Sequence, residues 1–211
     1  MDELTAHDVV DLFARLREVM EARRNFLIEL DGKVGDSDLG LTMSKGFAAA
    51  AEAVAGSTEP IGKVLMRGGM AIAKAAPSTM GTLMATGFMR GGKALEAATR
   101  MGTAEALRFF EAFLGGVQER GKAKPGEKTV VDALVPAVEA LRTAAAEGRT
   151  LSEAFAAAAH GAAEGLAATR EMVAQHGKAA CFQEKTRGLE DAGATAGCLV
   201  VETMAQFVAG A

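Results

Sequence analysis

The amino-acid sequence predicts an all-α domain, and three observations carry that expectation. Ala, Leu, Met, Glu and Arg, all strong helix formers, dominate the chain. Apolar residues recur every three or four positions over long stretches, and alternating Val/Ile/Thr runs are lacking. At 211 residues the chain is long enough for its own core, and no linker or internal repeat divides it. A single domain over 1–211 is therefore expected.

From about Thr5 to Leu30, the residues Val9, Leu12, Phe13, Leu16, Val19, Met20, Phe26 and Leu27 line one face of a long helix. Thr5 and Asp8 have the spacing of a capping box at its start. A second helix runs from Thr42 to Val54 and stops at Gly56. Thr58-Glu59-Pro60 opens a third, reaching to about Ala75. Ser78 or Thr79 caps a fourth through Met84, Phe88 and Leu95, and a fifth carries Leu107, Phe110, Phe113, Leu114 and Val117. Thr129 and Asp132 repeat the capping box before a sixth helix to about Ala146, with a kink or broken turn expected at Pro136. Thr150 and Glu153 open an Ala-rich seventh to about Val173. Gln175 to Glu190 reads as an irregular polar segment, after which Asp191 caps a last helix, Ala194 to Val208. Eight helical segments, rich in small residues, suit a compact up-and-down arrangement.

Composition excludes several function classes. The formal net charge is −4, and Trp and Tyr are absent, so neither a basic nucleic-acid footprint nor a base-stacking platform is indicated. No run of 18 or more apolar residues marks a transmembrane helix, and the acidic start MDELTAHDVV is unlike a secretory signal; a cytoplasmic protein is expected. Cys181 and Cys198 are too far apart for a CxxC motif, with Cys198 read as core. His7, His160 and His176 are scattered and read as surface or helix-end residues.

The stretch Leu30 to Met43, LDGKVGDSDLGLTM, carries the chemistry. Asp31, Asp36 and Asp38 lie within eight positions, framed by Gly32, Gly35 and Gly40. Such a segment is poor helix and poor strand, and three carboxylates on a tight loop repel unless a cation sits among them. A ligand set of oxygens alone suits a hard cation. An EF-hand fails on spacing: counted from Asp36, Leu41 stands where glycine is required and Phe47 where the bidentate Glu belongs. Mg2+ is preferred, and Mg2+ commonly shares its shell with phosphate oxygens. Three helix starts could hold phosphate: Ser78-Thr79-Met80-Gly81, Thr129, and Asp191-Ala192-Gly193-Ala194-Thr195. By contrast, Gly87 to Lys93 matches GxxxxGK but lacks the final Ser/Thr and a preceding strand. Its glycines are read as helix-packing residues.

In order and spacing, LDGKVGDSDLGLTM, PSTMGTLMATGFMR, RGKAKPGEKTVVDALVPAVEAL and EKTRGLEDAGATA resemble the signature blocks of the nucleotide-binding L subunits of dihydroxyacetone kinases. The resemblance spans essentially the whole chain. It implies a closed barrel of eight antiparallel helices that binds ADP or ATP through Mg2+ held by Asp31, Asp36 and Asp38. It also implies that Leu39, Gly40, Leu41 and Thr42, then Thr79 and Met80, line phosphates and ribose. Gly121, Val130 and Lys178 would surround base or phosphates, and Asp191 with Gly193 would complete the site. The implied partner is a separate K subunit holding dihydroxyacetone or a related ketose, with ATP or a phosphotransferase-system protein as donor. The chain departs from the family pattern at Leu39 (often His), Thr42 (often Asn), Pro77 to Gly81 (a Gly-Gly-Ala-Ser-Gly run), Lys178 (Arg), Leu189 (His) and Ala192 (Pro). The altered Leu39, Met80 and Lys178 positions motivate a second reading: a nucleotide-binding regulator of the same fold that has lost transfer. A third is a helical module whose acidic loop holds only an ordering cation.

Overall fold

The structure, a computed structural model, describes residues 1–210. Nine α-helices occupy these residues: α1 (Ala6–Ala22), α2 (Arg24–Asp31), α3 (Leu39–Val54), α4 (Ile61–Ala75), α5 (Thr79–Ala94), α6 (Thr103–Gly121), α7 (Val130–Ala146), α8 (Leu151–Ala168) and α9 (Ala192–Ala209). Among the described residues the only β pairing is a bridge between Leu4 and Met101.

The long first helix is divided at Arg23 (φ −92°, ψ 0°), so α2 turns away from α1 and delivers Asp31 at its C-terminal end. Other boundaries shift by up to five residues. α3 begins at Leu39, ahead of Thr42, and α8 stops at Ala168, where a 3-10 turn (Thr169–Glu171) takes over. Within the Gln175–Glu190 segment, Ala179–Thr186 forms two short 3-10 turns separated by a kink at Gln183 (φ 48°, ψ −127°). The expected capping boxes form at Thr5/Asp8, Thr129/Asp132 and Thr150/Glu153. No broken turn appears at Pro136: α7 runs through it. The Asp132 carbonyl, which loses its N–H partner to the proline ring, faces Gly165 of α8, where a Cβ would stand 2.1 Å from that oxygen.

Neighbours in space follow neighbours in sequence. α1 packs on α3, α3 on α4, and so on to α9, which returns to α1 and closes a ring of eight walls; α2 lies against α3. The walls alternate in direction. Gly87 and Gly91 of α5 meet Phe113 and Phe109 of α6, in reversed order. The GxxxxGK stretch is thus helical: Gly87 and Gly91 admit aromatic rings and Gly92 meets the α4 backbone at Gly62, as its packing reading required. Phe13, Phe47, Phe88, Phe109, Phe110, Phe113 and Phe155 fill the interior as a chain of ring contacts at 5.1–6.2 Å between successive centroids.

Helix α9 is long and apolar enough by length and composition to cross a membrane, with mean hydropathy 1.3. Its packing explains this composition: it is covered by α1, α7 and α8, and Val200, Val201 and Cys198 are buried.

Close approach at the α7–α8 seam gives a stability prediction. Ala in place of Gly165 gains about 1 kcal/mol in helix propensity. Its methyl group nevertheless has to displace the Asp132 carbonyl and the Pro136 ring, at 2.1 and 2.7 Å. Overpacking of this kind costs about 1–3 kcal/mol or more. Urea titration should show Gly165→Ala less stable than wild type by about 1–2 kcal/mol. An unchanged midpoint would show that the seam yields.

Candidate functional site at one end of the barrel

Because successive walls run in opposite directions, the N-termini of α3, α5, α7 and α9 gather at one mouth of the ring. The C-termini of α2, α4, α6 and α8 lie there too. Free N–H groups and partial positive charge therefore converge from four helices. Side chains stitch these heads together. Thr42 of α3 donates to Ser78 Oγ at 3.1 Å, and Ser78 also caps α5 by accepting from Gly81 N at 3.1 Å. A Cβ on Gly193 of α9 would lie 3.0 Å from Met80 Cε of α5 and 3.5 Å from Val130 N of α7. Thr79, Met80, Val130, Asp191 and Gly193 thus share this mouth. Gly121, the last residue of α6, faces Leu83 one turn further along α5.

The aspartate loop borders the same mouth. Carboxylate oxygens of Asp31, Asp36 and Asp38 all lie within 4.8 Å of one another. At that separation each pair repels by about 1 kcal/mol even in water. Burial, then the charges of Asp36 and Asp31, hold the Asp38 carboxyl above the usual carboxylate range. Asp31 organises the loop: its Oδ2 accepts from Asp38 N at 3.0 Å and Leu39 N at 3.3 Å. Gly35 is required beneath it, since a Cβ there would stand 2.2 Å from Asp31 Oδ1, and Ser37 takes a left-handed φ of 60° to turn the chain. Gly40 lets α3 touch the α2 backbone, 2.1 Å from a Cβ to Arg24 O. Three converging carboxylates with no soft ligand fit a hard divalent cation whose remaining positions are left to water or phosphate.

Several expected residues differ in how they contribute. The Leu39 side chain is buried in the core, so only its backbone faces the loop, whereas Leu41 is exposed. Lys178 reaches the aspartate loop itself: its ammonium donates to Asp36 Oδ2, and that bond raises the lysine above its ordinary value. His176 is at the surface, half-buried, as expected, but not at a helix end. It sits in a loop with Nε2 2.6 Å from Glu127 Oε2.

One residue escaped sequence reasoning. Lys128, in the GEKT block, is buried with φ 59°. Its Nζ donates to the carbonyls of Thr169 at 2.5 Å and Leu189 at 2.6 Å. Lysines are so rarely buried that only the φ > 0 geometry, invisible in sequence, marks it.

Asp191 caps α9 by accepting from Ala194 N at 2.7 Å. Burial pushes its carboxyl up to about 6, against the backbone N–H groups of Ala194 and Gly193 and the Lys128 charge. The folded chain therefore holds this proton more tightly than the unfolded chain. The resulting stabilisation is complete below pH 3.8 and is lost as pH rises through about 6. Asn at this position keeps the cap acceptor but cannot ionise. Asp191→Asn should gain on wild type by up to about 3 kcal/mol between pH 3.5 and 7, read by urea unfolding at both pH values. Parallel pH dependence in the two proteins would contradict it.

A helical ring carrying a carboxylate cluster and four helix N-termini at one mouth defines a class: α-barrels that place a candidate cation site beside a candidate anion site. Comparison with known proteins narrows this. The chain belongs to the DAK2-domain family, whose family model (DAK2 domain) matches residues 33–206. A relative in Escherichia coli (strain K12), "PEP-dependent dihydroxyacetone kinase, ADP-binding subunit DhaL", is 31% identical over 203 residues, 96% of this chain and 97% of that protein. The "L-erythrulose kinase" of Pectobacterium atrosepticum is 30% identical over 202 residues, 94% of this chain but 34% of that larger protein. Among solved structures, the dihydroxyacetone kinase of C. freundii in complex with AMP-PNP and Mg2+ shares the fold, with TM-score 0.69 and 24% identity. That match covers 94% of this chain and 33% of the kinase chain.

Proposed function

We propose that this chain is the Mg-ADP/ATP-binding subunit of a dihydroxyacetone-kinase-like phosphotransferase, working in the cytoplasm. The observation that carries the proposal is the placement of the Asp31–Asp36–Asp38 trio beside four converging helix N-termini. Near full-length similarity to a subunit named ADP-binding supports the reading. Asp31, Asp36 and Asp38 would hold Mg2+, which when bound neutralises charge on the phosphoryl oxygens. The heads of α3, α5, α7 and α9 orient the phosphates, with Thr79, Met80, Val130 and Gly193 fixing where the nucleotide can lie. Phosphoryl transfer is largely positioning and electrostatics, so no protein nucleophile is needed here. The acceptor, dihydroxyacetone or a related small ketose, is held by a K-type partner subunit, and ATP or a PEP-dependent phosphoryl carrier reloads the nucleotide.

The test is a coupled assay with K-type subunits, several ketoses, and ATP or a phosphotransferase-system donor. Ketose phosphate should form only with Mg2+ and both subunits present. One observation favours the regulator alternative: Lys178 already engages Asp36. Retained Mg-ADP binding with no turnover in any combination would select that alternative.

A further inference from the structure

Between α8 and α9 the chain makes a strap, residues 170–188, that leaves the barrel wall and returns. Its neck is narrow: Gly188 N donates to Arg170 O at 2.7 Å. Directly beneath the neck, Lys128 Nζ bridges the Thr169 and Leu189 carbonyls, one from each end of the strap. Thr169 is itself tied to the head of α9, since its Oγ1 accepts from Asp191 N at 3.0 Å. Further out, Ala174 N donates to the buried Thr186 Oγ1 at 3.0 Å, drawing the two limbs together. The tip, turned by Gly177 (φ 63°), carries Lys178 onto Asp36.

We propose that Lys128 is a positioning residue: by clasping both ends of the strap it sets Lys178 over the aspartate loop and Asp191 at the head of α9. Three features single it out for this role. A lysine held in a left-handed backbone conformation is disfavoured intrinsically and is retained only where its surroundings demand it. Its ammonium is spent on two carbonyls 20 residues apart in sequence instead of on a carboxylate partner. One of those carbonyls, Thr169 O, ends α8 at the mouth of the barrel, where it accepts from Met172 N at 3.1 Å and takes the lysine as a second donor. Lys128 thus acts through the strap and the α9 head, which the nucleotide would contact. The role rests on the nucleotide-site reading above.

The experiment compares wild type, Lys128→Met, Lys128→Arg and Thr186→Val by amide hydrogen exchange, Mg2+ titration alone and Mg-ADP calorimetry. In Lys128→Met, amides of the strap should exchange at least tenfold faster while the barrel helices stay protected. Mg-ADP affinity should fall at least tenfold with Mg2+ binding alone unchanged or tighter, because the loop's own hydrogen bonds to Asp31 do not involve the clasp and a released Lys178 no longer competes for Asp36. Lys128→Arg, which keeps a charged donor, should recover most of the affinity. Thr186→Val opens the strap without touching the lysine and should show the same split, which keeps the test decisive if Lys128→Met does not fold. Mg-ADP affinity unchanged in an opened strap, or a strap still protected without the lysine, overturns the proposal. Equal loss of Mg2+ and Mg-ADP binding does so as well. A wild-type chain that fails to bind Mg-ADP would instead overturn the nucleotide reading, and strap exchange would still show whether Lys128 clasps the strap.

Discussion

Replacing Asp31 with Ala should weaken Mg2+ binding by about 100-fold or more, about 3 kcal/mol, the largest effect of any single substitution in the chain. Two losses combine. A ligand oxygen disappears from the trio, and the N–H groups of Asp38 and Leu39 lose their shared acceptor. Removing only an outer-shell partner of a metal ligand already lowers affinity 10- to 100-fold, and Asp31 serves both as ligand and as support for Asp38. Asp11→Ala, on the far exposed face of α1 where Asp11 pairs with His7, serves as control and should change nothing. Isothermal titration with Mg2+ reads both. Metal affinity retained in Asp31→Ala would mean that the carboxylates are only caps and turn residues.

The second large effect separates nucleotide from metal. Gly193 lies where the heads of α5, α7 and α9 meet, with room for little more than a hydrogen. A Cβ there would be 3.0 Å from both Asp191 Oδ2 and Met80 Cε. Gly193→Leu projects a full side chain into that space, and Mg-ADP affinity should drop at least about 30-fold, or about 2 kcal/mol. The aspartate loop is untouched, so Mg2+ alone should bind as before. Fold stability should fall by about 1–2 kcal/mol, since overpacking costs about 1–3 kcal/mol and the better helix former in α9 recovers only about 1 kcal/mol; affinity is therefore compared at a temperature where both proteins are folded. Undiminished Mg-ADP binding in this variant would place the nucleotide elsewhere.

Much of this architecture could be read from local sequence. Capping boxes are short-range hydrogen-bond patterns, so Thr5/Asp8, Thr129/Asp132 and Thr150/Glu153 announced three helix starts before any tertiary contact was known. The aspartate trio was legible for a similar reason: its carboxylates are brought together by one loop, not by the fold. The break at Arg23 was not legible. Neither Gly nor Pro marks it, and it arises where α2 must pack on α3 through Gly40. Proline at 136 breaks no turn: α7 runs through it, packed against α8. The strap was the hardest part. Its organisation depends on Lys128, Thr186 and Glu127, contacts between residues 12 to 61 positions apart that no periodicity encodes.

Fold class and site also differ in what carries them. Helix propensity and the small-residue seams determine that eight walls close into a ring, and alternation of direction then puts four N-termini at one mouth. The acidic loop turns that generic feature into a specific one. Helix heads alone attract anions; beside three carboxylates they would repel a bare triphosphate unless a cation stands between. On the proposed reading, ADP and Mg2+ bind as linked ligands, each raising the affinity of the other by the same factor.

That linkage is measured most directly by calorimetric titration of ADP into the wild-type chain, once with saturating Mg2+ and once with a chelator. The arrangement of Asp31, Asp36 and Asp38 at the barrel mouth predicts that ADP affinity falls at least about 100-fold when the metal is removed. Equal affinity in the two titrations would contradict it.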